Sequence, residues 1–127
     1  MILSRDQILQ VQDLESTEVE VPDWGGAVRV RMLTQQESDT FQQFCTDRVK
    51  GSGPTRRIDI RGMKVRLVIL CCVDAEGKPL FTDKDAEALN AKSGRAIDVV
   101  FEAARKLNGI GEDQIKELTR DFQPAPD

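Results

Sequence analysis

The sequence predicts a single α+β domain, predominantly helical, with one small antiparallel β-hairpin near its N-terminus. Three observations lead there. Capping signatures recur along the chain, each followed by apolar residues at helical spacing. The stretch around Trp24-Gly25-Gly26 instead alternates apolar and polar residues with period two. Finally, 127 residues of which 39% are hydrophobic suit one core, which in a chain of this size buries roughly two-thirds of the unfolded surface.

Ser4 with Gln7 forms the first capping box and predicts a short helix from about Arg5 to Gln12. Val19 and Val21, then Val28 and Val30, predict the two strands of the hairpin, with Pro22 placed at its turn where no ladder N–H is required. Thr34 and Glu37 cap a second helix carrying Phe41, Phe44, Cys45 and Val49, which Gly51-Ser52-Gly53-Pro54 ends as a flexible break. That break lacks the Gly-Lys-Ser/Thr ending of a phosphate-binding loop.

From Ile58 to Val73 the apolar run fits either a buried strand or a buried helix; its length favours a helix, with Met63, Leu67, Leu70 and Cys71 on one stripe. Residues 74–79 read as a turn that returns Leu80 and Phe81 to the core. Thr82 and Asp85 open a further helix closing near Leu89 and Asn90. Ser93 opens the longest amphipathic one, with Ile97, Val100, Phe101, Ala104 and Leu107 on its apolar face and Gly109 at its end. A last helix from about Glu112 carries Ile115, Leu118 and Phe122. The domain so defined spans residues 1–122, and residues 123–127 form a disordered tail. The predicted core is Phe41, Phe44, Leu67, Leu70, Phe81, Ile97, Val100, Phe101 and Leu107.

Composition argues against catalysis. There is no histidine and no tyrosine, and nothing in the spacing of the 22 acidic residues singles out a site. The 3 cysteines are an odd count, and the adjacent pair Cys71-Cys72 makes a strained disulfide; without a C-x-x-C pair or histidine they also fall short of a zinc site. They read as small core hydrophobes. No metal or cofactor is expected. A net charge of −4 and a pI near 4.9 argue against nucleic-acid binding. No apolar stretch is long enough to cross a bilayer, and the start of the chain lacks the pattern of a secretory signal, so the chain is expected in the cytoplasm.

Protein partners are what remains. The basic run Arg56, Arg57, Arg61, Lys64 and Arg66 is either the solvated face of a helix or a docking patch for an acidic partner, including a neighbouring copy of the chain. Trp24 is either a turn-packing residue or an interface anchor, and Phe122 either caps the core or reaches a partner.

The order of elements also carries a resemblance. Trp24-Gly25-Gly26, Val28, Val30, Leu33-Thr34 and Glu37 are followed by Arg66-Leu67-Val68, Cys71, Val73-Asp74 and Glu76-Gly77. Then come Leu80-Phe81, Asp85, Leu89 and Leu107-Asn108-Gly109. In this combination the chain resembles the tail assembly chaperones of long-tailed bacteriophages and prophages. The resemblance implies a non-catalytic protein of the bacterial host cytoplasm that binds the tape-measure protein, keeps it soluble and recruits tail-tube protein. It also implies the shorter product of a frameshifting pair. A tape measure is a very long helical chain with exposed apolar stripes, and such surfaces aggregate unless covered. Two other classes stand beside this one. One is a small acidic regulatory or neutralising adaptor for a single globular partner; the other is an enzyme using Cys45 or the Cys71-Cys72 pair as nucleophile.

Overall fold

The computed structural model describes residues 1–110 apart from 52, 56 and 60. Helix α1 (Arg5–Gln10) begins where Ser4 caps it: the Gln7 N–H donates to Ser4 Oγ at 3.3 Å, and the Ser4 N–H to Gln7 Oε1 at 2.8 Å. Strands β1 (Ser16–Val21) and β2 (Gly26–Arg31) pair antiparallel with Val19 opposite Val28. A single 3-10 turn, Pro22–Trp24, joins them. Gly25 closes it at φ 77°, a left-handed conformation that disfavours a side chain, and donates its N–H to Val21 O at 3.1 Å. The alternation read from the valines is the burial pattern, since Val21 and Val30 are inaccessible and Val19 and Val28 lean on the same core.

Helix α2 (Gln35–Thr46) carries the second predicted box, with the Glu37 N–H donating to Thr34 Oγ1 at 3.1 Å and the Thr34 N–H to Glu37 Oε1 at 2.9 Å. It is shorter than the sequence suggests. Val49 leaves the helix and, as β3 (Val49–Lys50), pairs antiparallel with β4 (Arg57–Ile58), so the Gly51–Pro54 stretch belongs to the connection of a second, very small hairpin.

The ambiguous run resolves into both of its options. Helix α3 (Met63–Cys71) is followed at once by β5 (Cys72–Val73), which pairs with β2 through Val30 opposite Cys72 and completes a sheet ordered β1-β2-β5. Burial around α3 is wider than the predicted stripe: Met63, Val65, Leu67, Val68, Ile69 and Cys71 are all buried, while Leu70 is only partly so. The turn at residues 74–79 is held by Asp74 Oδ1, which accepts from the N–H groups of Glu76 and Lys78 at 2.8 and 3.0 Å. Phe81 does return to the edge of the core, but Leu80 stays 47% exposed. Thr82 and Asp85 start a 3-10 turn that runs into α4 (Ala86–Asn90).

Helix α5 (Gly94–Leu107) begins with the Ala96 N–H donating to Ser93 Oγ at 3.2 Å. It lies along the β1-β2 hairpin and packs against α3, burying Ala96, Ile97, Val100, Phe101 and Ala104. Of the predicted core, Phe41, Leu67, Ile97, Val100 and Phe101 are buried, and Phe44, Leu70, Phe81 and Leu107 line its rim. β1 forms one side of the sheet, and no strand among the described residues pairs with its outer edge. The predicted last helix with Phe122, and the tail at residues 123–127, lie outside the described residues.

Candidate protein-binding surfaces

The basic run does not gather into one strip among its described members. Arg61, ahead of α3, donates to both carboxylate oxygens of Asp59 at 2.9 and 2.8 Å. Lys64 turns to Asp98 on α5 at 2.6 Å, whereas Arg66 turns to Asp83 and lies over the Phe44 ring. Residues two apart on a helix do not share a face, so Lys64 and Arg66 diverge. Arg48 covers Phe44 as well, its guanidinium carbon 4.0 Å from the ring centroid. Arg57 sits on β4, and Arg56 lies outside the described residues. Arg61, its side chain 87% exposed, is more open than Lys64 or Arg66.

Trp24 occupies the hairpin turn, half-buried against the core. Its neighbour Asp23 fastens that turn to the start of α5, accepting from Arg95 at 2.7 and 3.0 Å and from the Ser93 hydroxyl at 2.9 Å. The Arg95 bond, and after it the Ser93 bond, hold the Asp23 carboxyl below its ordinary pKa.

The cysteines have the opposite character to nucleophiles. Burial pushes the thiols of Cys71 and Cys72 up to about 12, and that of Cys45 upward as well. Cys71 and Cys72 have no accessible surface, and Cys45 is half-buried.

Sequence reasoning missed an apolar surface at the N-terminus. Residues 1–14 bury none of their side chains, leaving Ile2 97%, Leu9 65% and Val11 56% exposed, with Leu3, Ile8 and Leu14 about half exposed. A signal for it was present. Leu3 and Ile8 occupy the positions of a hydrophobic staple around the Ser4 cap. A six-residue helix has no room to bury its apolar side against itself. A second apolar feature is a groove of about 320 Å³ between α3, α4 and the start of α5, lined by Met63, Val65, Leu89 and Ile97 with Lys64 and Lys92 on its rim.

The model of the phage tail assembly chaperone family matches residues 5–119, nearly the whole chain. The chain belongs to that family. In solved structures, the tail assembly chaperone of bacteriophage HK97 has the same fold. The two superpose with a TM-score of 0.57 at 18% identity, over 84% of this chain and 95% of that one. No curated protein matches this chain in sequence. The family assignment directs attention to the surfaces of the chain. No helix among the described residues of this tail assembly chaperone is long and apolar enough to cross a membrane.

Proposed function

We propose that this tail assembly chaperone is non-catalytic and acts in the host cytoplasm, covering the apolar helical stripes of the tape-measure protein, keeping it soluble and promoting addition of tail-tube protein. The observation that carries the reading is the family match across residues 5–119, which includes the complete described fold from α1 onward. The physics supports it. A small acidic domain with an uncovered apolar segment can shield a partner's apolar surface while its charge keeps the complex in solution. Several copies, associating with one another, would line one extended partner. Trp24, Arg61, Lys64, Arg66, Arg56, Arg57 and Phe122 are the side chains proposed to contribute contacts.

The test is co-expression with the tape-measure protein from the same phage or prophage. The soluble fraction of the tape measure should rise when the chain is present, and the purified complex should contain several copies of it per tape measure. An unchanged soluble fraction overturns the reading. A one-to-one complex with a compact partner would instead support the adaptor class.

A further inference from the structure

We infer that the outer edge of β1 takes an extended segment of a partner protein, its residues alternating basic and apolar, as one more strand of the sheet. The inference goes beyond the covering of helical stripes, since it concerns an extended segment and a different face of the domain.

The edge is free backbone. The Met32 N–H donates to Glu15 O at 2.8 Å, one step beyond the pairing of Ser16 with Arg31. In an antiparallel ladder bonded and non-bonded pairs alternate, so Thr17, Val19 and Val21 turn their N–H and C=O groups to β2, and Ser16, Glu18 and Glu20 turn theirs the other way. No strand among the described residues meets those outward groups, and the residues that carry them are exposed. Such a row is a template for another strand.

The side chains decide what kind of strand fits. Helix α5 packs against one face of the hairpin, where Val19 and Val21 lie against the core. Successive residues alternate faces, so Glu18 and Glu20 stand on the other; there Arg29, opposite Glu18 in the register, donates to it at 3.2 Å. Glu20 has no cationic partner among the described residues. A strand added beside β1 sets the residue opposite Val19 toward α5, and the residues on either side of it beside Glu18 and Glu20. Opposite charge at those two positions stabilises the pairing, so they are basic.

The middle residue meets a hollow. Thr17, Val19, Ala103 and Leu107 line it, a space of about 580 Å³ between β1 and the second half of α5. Val19, Ala103 and Leu107 are only half-buried by the chain's own fold, so an apolar side chain placed there completes their burial. Lys106, exposed at the helix side of the hollow, can rest its stem on that side chain and keep its charge in water. Main-chain bonds thus supply affinity, while the glutamates and the hollow set which segment is taken.

The probe is the peptide acetyl-Lys-Val-Lys-Val-Lys-Val-Lys-amide, titrated into the full chain while amide hydrogen exchange is followed by NMR. With peptide in excess, the Glu18 and Glu20 N–H groups should exchange at least tenfold more slowly, whereas those of Thr17 and Val19, already in the ladder, should change less. Methylating every backbone nitrogen of the peptide keeps its charge but removes its donors, and should weaken binding at least tenfold. A peptide with glutamate in place of lysine should bind wild type at least tenfold more weakly, and the double variant Glu18→Lys, Glu20→Lys should reverse that preference. Circular dichroism melts near wild type show that the variant folds; the comparison of the two peptides on wild type needs no variant. No slowing with the lysine peptide overturns the inference, and so does equal binding of the methylated peptide, which would reduce the contact to charge alone. Slow exchange at Glu18 and Glu20 in the free chain overturns it as well. If that slowing is the same at every chain concentration, the edge belongs to the chain's own residues, and if it grows with concentration, to a second copy.

Discussion

Asn108, the C-cap of α5, accepts the backbone N–H of Leu33 through its Oδ1 at 2.7 Å. The same side chain donates through Nδ2 to Ala104 O at 2.9 Å and lies 3.5 Å from Cys71 Sγ. One amide thus joins the end of α5 to the loop that launches α2. Asn108→Ala leaves the partly buried Leu33 N–H without an acceptor and should cost about 1 to 3 kcal/mol. Asn108→Asp keeps the acceptor but loses the donor, and should lose less. Urea unfolding of the three proteins checks the ranking, and equal losses for Ala and Asp would show that the Leu33 bond contributes nothing.

Phe101 is nearly inaccessible at the centre of the α5 face. Truncation to alanine should cost about 3 to 5 kcal/mol, a large part of the roughly 5 to 15 kcal/mol available to such a domain. Leu80→Ala, at a half-exposed position, should stay within about 0.5 kcal/mol of wild type. A thermal or urea melt that ranks the two the other way would contradict the packing of α5.

Acid should loosen the tie between the hairpin turn and α5. Arg95 and Ser93 lower the folded pKa of Asp23 below its ordinary 3.8. Its contribution is therefore present above that value and lost as pH falls from there toward the folded pKa. Asp59, lowered chiefly by its side-chain bond to Arg61, acts with the same sign. Stability measured down an acid series should fall less steeply for Asp23→Asn than for wild type, from a lower starting point at neutral pH. Parallel acid limbs would show that the Asp23 contact is not made in solution.

Alkali should act through the thiols. The folded pKa values of Cys71 and Cys72 are raised from 9.0 to about 12, so their stability contribution is intact below pH 9.0 and lost as pH rises through this window. Stability should therefore fall with rising pH across that window. Cys72→Ala should flatten the alkaline limb at the cost of a small cavity. In the native state at neutral pH both thiols should label slowly with a thiol reagent and quickly after denaturation. Fast native labelling of either would reopen a nucleophile role.

Local chemistry was legible wherever the partner lay within a few residues. Ser4 with Gln7 and Thr34 with Glu37 cap as their spacing indicates, and Ser93 caps the helix it was expected to open. The turn glycines and the valine alternation located the first hairpin. Distant partners were not legible. Val49 continues the helical spacing of Cys45, yet pairs with Ile58 across a glycine-containing connection. Cys72 ends an unbroken apolar run as a strand because Val30, far back in the chain, offers its edge. The basic run looked like one face because the sequence does not display Asp83 and Asp98, which draw Arg66 and Lys64 apart. The exposure of residues 1–14 was hidden for the same reason, since apolar residues in a chain announce burial without saying in which molecule.

The outer edge of β1, unpaired among the described residues, bears on how the chain avoids fusing with other copies. A bare strand edge recruits its own kind, and a protein gathered at high local concentration meets that hazard repeatedly. Glu18 and Glu20 stand along this edge, both exposed. In an antiparallel register that sets Val19 against Val19 of another copy, Glu18 would face Glu20, and in one that sets Val19 against Val21, Glu20 would face itself, pairings that like charges disfavour. Two nearby glutamates on an edge strand thus set a charge penalty against edge-to-edge pairing of one molecule's sheet with another's.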